Sequence, residues 1–356
     1  MEVQRSPRRA TMTDVAQAAG VSLKTVSRYV NGETNIDPVI AGRIGEAIAT
    51  LHFRRNQAAA SIRPGQRSQL VGLIIEDVAN PFYAVLTRSV ELVLRARGLL
   101  LLAASSEEDP VQFGRLVEQL IERRVDGLIV VTPSDPGPRW PELAREVPAL
   151  VMLDRFDPAI EADSVIADDQ RGGRDATRLL ISGGARRIAF VGEALGLQSI
   201  AGRHRGYVEA LTSAGIAVDP GLAIDGVRTG DEVCAAVTSL LLRDSSIDGI
   251  FAANNLASIG VLRALRDLGL SRPIVGFDDF EAAGLVDPGV TVVSHSVADM
   301  GRLAAELLLD RIDGQQVPVR RMVLGTNITL RGSHLTVPMP APAPAGPSPR
   351  REISTP

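Results

Sequence analysis

The sequence predicts an α/β protein: an N-terminal three-helix head followed by a two-lobed core of doubly wound parallel sheets. Three observations predict it. Between Thr11 and Leu51, three short helical periodicities are separated by turn signals, and from Leu70 onward apolar runs alternate with amphipathic stretches in a strand-helix-strand rhythm. The length of 356 residues exceeds one ordinary domain, and 45% apolar residues can fill several cores.

In the head, Thr11-Met12-Thr13-Asp14 has the form of a capping box, in which the hydroxyl and the acid three residues later each accept from a backbone N–H at the helix start. Val15, Ala16 and Ala19 give the first helix a small apolar face, and Gly20 permits a sharp turn. Ser22 caps a second helix through Lys24, Thr25, Val26, Ser27, Arg28 and Tyr29. Val21, Val26 and Val30 face inward, which leaves Leu23, Lys24, Ser27 and Arg28 on or beside the outer face. Asp37-Pro38, a capping residue followed by proline at the first helical position, opens a third helix. Its Val39, Ile40, Ile44, Ile48 and Leu51 keep helical spacing and are expected to close the small core.

Charge singles out this head. Residues 1–67 carry ten Lys+Arg against five acids, a net +5, so the overall −4 leaves −9 on the remainder. A basic head on an acidic body suits an approach to phosphates. Two helices joined by a sharp turn also form the unit that lays its second helix in the major groove of DNA. There Lys24, the chain's only lysine, and Arg28 match guanine O6 and N7, while Thr25 and Ser27 can donate to phosphates. Taken alone, three short helices and a basic N-terminus also fit a module that touches no DNA.

From Asp14 to Ala60 the chain resembles the head of the LacI/GalR family of bacterial repressors. The resemblance rests on Asp14-Val15-Ala16, Ala19-Gly20-Val21-Ser22, Thr25-Val26-Ser27-Arg28, Val30-Asn31, Leu51, Asn56 and Ala59. The order and spacing make a specific match, and weaker motifs extend it to about residue 335. The resemblance implies a helix-turn-helix DNA-binding domain over 11–55 and a hinge helix or linker over 56–67. Such a hinge forms on DNA, pairs in a dimer and wedges an apolar side chain into the minor groove. The DNA contacts expected on this basis come from Thr13, Ser22, Leu23, Lys24, Thr25, Ser27, Arg28 and Asn31 in the head, and from Arg54, Arg55, Asn56, Ala59, Ile62 and Arg63 in and beside the hinge. Ile62 stands where the family usually has leucine and makes a stiffer wedge. Arg55 stands where proline is frequent and adds a cation for a phosphate. A plain interdomain linker is the alternative for 56–64.

In the core, 70–75, 99–103, 127–131 and 149–153 read as buried parallel strands, with helices near 82–97 and 110–124. A second series places strands at 187–191, 249–253 and 273–277, with helices near 170–182, 200–214, 230–243 and 256–268. Ligands of such sheets bind beyond the carboxyl ends of the strands, so two facing lobes form a cleft there. The pattern resembles the periplasmic-binding-protein-like sensor core of the same family. That implies an effector-binding and dimerisation core over 68–337, with lobe 1 over about 68–166 and 295–324, lobe 2 over about 167–293 and 325–337, and chain crossings near Ala167, Ser294 and Gly325.

Polar residues just beyond the strands are the candidates for the cleft. Asp77, Phe82 and Tyr83 surround an Asn80-Pro81-Phe82 turn that resembles the family's first pocket loop. Arg155 follows Asp154, Arg203 lies in Ala201-Gly202-Arg203, Asn255 follows Asn254, and Asp278 ends Gly276-Phe277-Asp278. Leu197 and Ser199 occupy loop positions that vary between members with different ligands. An aromatic ring can stack on a sugar or base, and an arginine fork opposite a carboxylate can hold neighbouring hydroxyls. Each residue also has a duller explanation: Asp278 as a turn cap, Arg203 as the partner of a local acid, Phe82 as core.

Cys234 is the only cysteine, which excludes an intrachain disulfide and a multi-cysteine zinc site; its neighbours Val233, Ala235 and Ala236 suggest a packed helix face. His52, His204, His295 and His334 are scattered without metal spacing, and Ser182-Gly183-Gly184 lacks the spacing and the lysine of a phosphate loop. No enzyme, cofactor or metal is expected. No apolar run reaches the roughly 18 residues of a membrane span, and Met1 to Arg9 has no apolar segment behind its basic residues, so no membrane partner is expected and the expected location is the cytoplasm. Residues 1–10 are expected to be flexible, and 338–356, rich in Pro and Ala, to form a disordered tail. That tail holds no leucine heptads, so a homodimer is expected rather than a tetramer. The overall expectation is a regulator, a repressor by resemblance, on near-palindromic double-stranded operator DNA, answering a sugar- or nucleoside-like effector. Induction and corepression both fit; a regulator whose core answers a protein partner, or nothing, is the rival.

Overall fold

Helix starts in the head fall where capping side chains are available. In the computed structural model, which describes residues 10–30, 32–33, 35–53 and 67–335, α1 (Met12–Ala19) opens with the expected box. Thr11 Oγ1 accepts from Asp14 N at 3.3 Å, and Asp14 Oδ2 accepts from Thr11 N at 2.7 Å. The helix stops at Gly20, whose φ of +62° is the left-handed conformation that costs glycine nothing. Ser22 Oγ accepts from Thr25 N at 3.1 Å under α2 (Leu23–Val30), and Asp37 Oδ1 accepts from Val39 N at 2.9 Å under α3 (Pro38–Thr50). Arg43 on α3 donates to the carbonyls of Ala19 and Gly20 and so ties α3 to the end of α1.

Val15, Ala16, Ala19, Val26, Ile44 and Ala47 form the buried centre of the head, with Ile40, Ile48 and Leu51 packed around them. Val39 is a correction: it is 72% exposed. The stripe that packs runs Ile40, Ile44, Ala47–Ile48, Leu51, and a residue one position off that stripe is turned about 100° away from it.

The chain divides into two units after Ser68. The second begins β1 (Leu70–Ile75), α4 (Pro81–Ala96), β2 (Leu100–Ser105), α5 (Pro110–Glu122), β3 (Gly127–Val130), α6 (Trp140–Glu146), β4 (Leu150–Leu153) and β5 (Asp163–Ala167). It continues with α7 (Asp169–Ser182), β6 (Ile188–Val191), α8 (Gln198–Ser213), β7 (Ala223–Ile224), α9 (Gly230–Arg243), β8 (Gly249–Ala252), α10 (Asn255–Leu268), β9 (Ile274–Phe277) and β10 (Thr291–Ser294). It closes with α11 (Val297–Ile312), β11 (Arg321–Leu324) and β12 (Asn327–Thr329).

Two sheets result, ordered β11-β5-β4-β3-β1-β2 and β12-β10-β9-β8-β6-β7. Their orders repeat strand for strand, and every pairing is parallel except β10 with β12. The chain passes between the sheets after Ala167, after Ser294 and between Leu324 and Asn327. Val71, Leu73 and Ile75 pack on one face of the first sheet with α4 and α11, while Ile74 and Leu128 pack on the other with α5 and α6. Helices therefore cover both faces, the arrangement that lets parallel strands read as nearly unbroken apolar runs.

The predicted strands and helices appear within a few residues of their expected places. Unpredicted are β5, β7, β10, β11, β12, α6 and α11. β7 is two residues long, and β11 and β12 are largely exposed, so neither length nor alternation marks them. Among the described residues no helix is long and apolar enough to cross a membrane.

Candidate functional site

In the head, α2 presents Lys24 to solvent, with Leu23 half exposed and Ser22 and Thr13 exposed nearby. Ser22 Oγ and Thr25 Oγ1 lie 2.8 Å apart, so these hydroxyls already share one hydrogen bond. Arg28 is engaged within the head: its Nε donates to Glu33 Oε2 at 2.6 Å and its Nη2 to the Asn35 carbonyl at 3.0 Å. Ser27 is half-buried beside it. Asn31, Arg54, Arg55, Asn56, Ala59, Ile62 and Arg63, and with them the hinge, lie outside the described residues, as do the N-terminal segment before Ala10 and the expected tail.

In the second unit, both sheets direct the carboxyl ends of their strands at one polar cavity between the lobes. Phe82, Tyr83, Arg155, Ser199, Arg203, Asn255 and Asp278 line it. Two candidates do not join them. Asp77 closes its own turn, its Oδ1 accepting from Ala79 N at 2.8 Å, and Leu197, 2% exposed, belongs to the apolar core of the second lobe. The sequence reading overlooked Glu76, Glu193 and Ile200 as lining residues and gave Asp154 no role of its own; Asn80, named within its turn, and Asn254, whose strand-end amide can donate and accept, also line the cavity. Strand-end position is the signal that could have found the acids. Glu76 follows β1 directly, Glu193 lies two residues after β6, and Asp154 and Asp278 follow the matching strands β4 and β9. The last two share a rare backbone, φ +64° and +62°, tolerated by aspartate better than by most residues.

Arg155 is buried and donates to Glu76 and Glu108; Tyr83 Oη donates to Glu76 Oε2 at 3.2 Å. Burial opposes the charge of Arg155, and the surrounding oxygens of Tyr83, Glu76 and Glu108 more than offset it, so the guanidinium stays charged. Arg203, from the second lobe, donates from Nε to Asp169 Oδ1 at 2.8 Å, and from Nη1 to the Ala253 carbonyl at 2.7 Å and Asp278 Oδ2 at 3.3 Å, while lying over the Phe277 ring. Such a charge-assisted fork fixes the arginine's plane.

Glycines explain how Arg203 reaches Asp169. A Cβ at Gly173 would stand 2.2 Å from the Arg203 carbonyl oxygen, and one at Gly206 would stand 2.1 Å from the Gln170 carbonyl oxygen. Only side chains reduced to hydrogen let α7 and α8 approach this closely, which offsets the roughly 1 kcal/mol that each helical glycine costs against alanine.

Burial pushes Asp169 up to about 7 and Glu193 up to about 8, and raises Asp154 and Asp278 in the same direction against the pull of Arg203. It lowers His295 to about 4, leaving a neutral ring 5.8 Å from that of Phe82. Glu193 Oε2, Asp278 Oδ1, Arg155 Nε and both ring nitrogens of His295 are buried without a hydrogen-bond partner among the described residues. Buried polar atoms are rarely left so, and several converging on one cavity point to a polar ligand. The lobes also touch directly: Asn255 Nδ2 donates to Asn80 Oδ1, and Phe156 N to Gln198 Oε1, both at 2.8 Å.

Comparisons with known proteins follow this geometry. A family model described as bacterial regulatory proteins, lacI family, matches residues 11–56, and one described as a periplasmic binding protein-like domain matches 177–334. The chain is 33% identical over 347 residues to the HTH-type transcriptional regulator CelR of Thermobifida fusca, covering 92% of this chain and 98% of that protein. A solved complex of a transcriptional regulator CelR with cellobiose superposes with a TM-score of 0.69 at 32% identity, covering 91% of this chain and all of the other. The lac repressor dimer bound to operator and the anti-inducer ONPF shares the fold with a TM-score of 0.81 at 23% identity, over 92% of this chain and 100% of the other.

Proposed function

Because the chain belongs to the lacI family of bacterial regulatory proteins, we propose that it is a cytoplasmic repressor that binds a near-palindromic operator as a homodimer and releases or tightens on it when a small molecule occupies the interlobe cavity. Membership itself makes it a DNA-binding transcription regulator and not an enzyme. The observation that carries the effector reading is the Arg203–Asp278 pair beside unpartnered buried polar atoms, in a cavity that only both lobes together complete. A sugar- or nucleoside-like molecule fits a site with arginine, carboxylates and amides around the aromatic rings of Phe82 and Tyr83. Cellobiose in the related CelR complex supports the sugar class.

On this reading residues 11–55 form the DNA-binding domain, 56–67 the hinge and 68–337 the sensor core. Lys24 reads a base edge, with Thr13, Ser22, Leu23, Thr25, Ser27, Arg28 and Asn31 around it. Arg54, Arg55 and Arg63 hold phosphates, and Ile62, flanked by Asn56 and Ala59, wedges the minor groove. A ligand that bridges the lobes changes the populations of their relative angles and thereby the spacing of the paired hinges. Exposed Val85 and Leu92 on α4 and Leu100 on edge strand β2 support a dimer contact, since apolar groups on an open edge invite pairing.

The test is fluorescence anisotropy of the purified protein on its own upstream intergenic DNA at fixed salt, repeated with a panel of sugars and nucleosides. Selective binding that one compound shifts is expected. Selective binding that nothing shifts would favour control by a protein partner.

A further inference from the structure

Resting on the effector reading above, we infer that the effector carries a protonated amine on a hydroxylated skeleton, that is, an amino sugar. Six carboxyl groups, Glu76, Glu108, Asp154, Asp169, Glu193 and Asp278, gather in and behind the cavity against the guanidinium groups of Arg155 and Arg203. Counted as ionised, these acids outnumber the cations by four, and burial meets part of that excess by holding Glu193 and Asp169 protonated. Both arginines are already shared among acids, Arg155 among Glu76, Glu108 and Asp154, Arg203 between Asp169 and Asp278.

Glu193 stands apart. Its Oε1 accepts from the Asn254 amide, its Oε2 is buried without a partner, and no cation pairs with it among the described residues. Glu76, from the opposite lobe, lines the same cavity and repels it. Asp278 Oδ1 is likewise buried without a partner. A neutral polyol can donate hydroxyl hydrogens to these oxygens but brings no charge that would let Glu193 ionise. An ammonium group supplies three N–H donors and a positive charge together, and between Glu76 and Glu193 it lets Glu193 ionise and joins the two lobes through charge-assisted hydrogen bonds. The lining of Phe82, Tyr83 and Ile200 offers apolar surface to the faces of a sugar ring.

The experiment is isothermal titration calorimetry of the full chain with matched trios: glucose, glucosamine and N-acetylglucosamine, then the corresponding galactose series. The expected result is that an amine binds at least about tenfold tighter than both its parent sugar and its acetylated form, the size of one charge-assisted hydrogen bond. Glu193→Gln keeps an acceptor for Asn254 and removes the carboxyl, and it is expected to bring the ratio of amine to neutral-sugar affinity close to one. Neutral or acetylated sugars that bind as well as the amines would overturn the inference and leave the effector reading standing. No heat from any member would overturn both for hexoses. Calcium and magnesium chloride are the inorganic controls, and binding of either metal alone would overturn the assignment to an organic cation.

Discussion

Glu193 and Asp169 hold carboxyls that burial keeps protonated to about pH 8 and about pH 7, against ordinary values of 4.5 and 3.8. A group whose pKa is raised by folding contributes stability that is lost as pH climbs through the folded value, because the unfolded chain ionises it first. His295 and His204, both lowered by burial, act in the opposite sense, but only below their ordinary value of 6.5. Between pH 6.5 and 8.5 the carboxyls dominate, so the melting midpoint of the ligand-free protein should be lower at pH 8.5 than at 6.5, and Glu193→Gln should flatten the slope. A flat profile in the wild type would contradict the burial of these acids as ionisable groups. In the head, Lys24→Ala should cost about 1–3 kcal/mol of operator affinity and relax preference at a single base pair, measured by anisotropy on a set of singly substituted operators. A uniform loss across all sequences would instead mark Lys24 as a phosphate contact.

The pairing of α7 with α8 decides where Arg203 lies, and it depends on hydrogens in place of side chains at Gly173 and Gly206. Gly206→Ala forces a methyl against the Gln170 carbonyl and the Arg174 amide and should destabilise the core by about 1–3 kcal/mol. The shift should also blunt any effector response, since Arg203 leaves its fork with Asp169. Thermal melting reads the first effect, and the effector-induced change in operator affinity the second. Much at this scale was legible beforehand. Capping residues Thr11, Ser22 and Asp37 located the head helices, and apolar runs located the central strands, because both signals are local. The Gly-Gly of α7 was no such signal, as a helical glycine reveals its purpose only when the partner helix is in place.

At the scale of the whole molecule, the proposed control requires two copies on one operator and two lobes around one ligand. If β2 forms the dimer contact, Leu100→Arg should shift the protein to monomer in sedimentation equilibrium. Loss of the linked second half-site should then lower operator affinity by about 10²–10⁴. An unchanged dimer would move the contact elsewhere. Operator affinity of the wild type should also fall steeply with salt, in proportion to the number of phosphates neutralised.

By itself the sequence determined the α/β class, the helix-turn-helix, the asymmetry of charge and seven of the cavity's lining residues, because these follow from periodicity, capping, composition and a run of matched motifs. Only the tertiary structure decided that Leu197 is core, that Arg28 is bound to Glu33, and that Glu76, Asp154 and Glu193 meet in one place. Those facts depend on strands far apart in the chain ending at a common edge, and on the loss of water that makes gathered acids hold their protons. No local pattern encodes either.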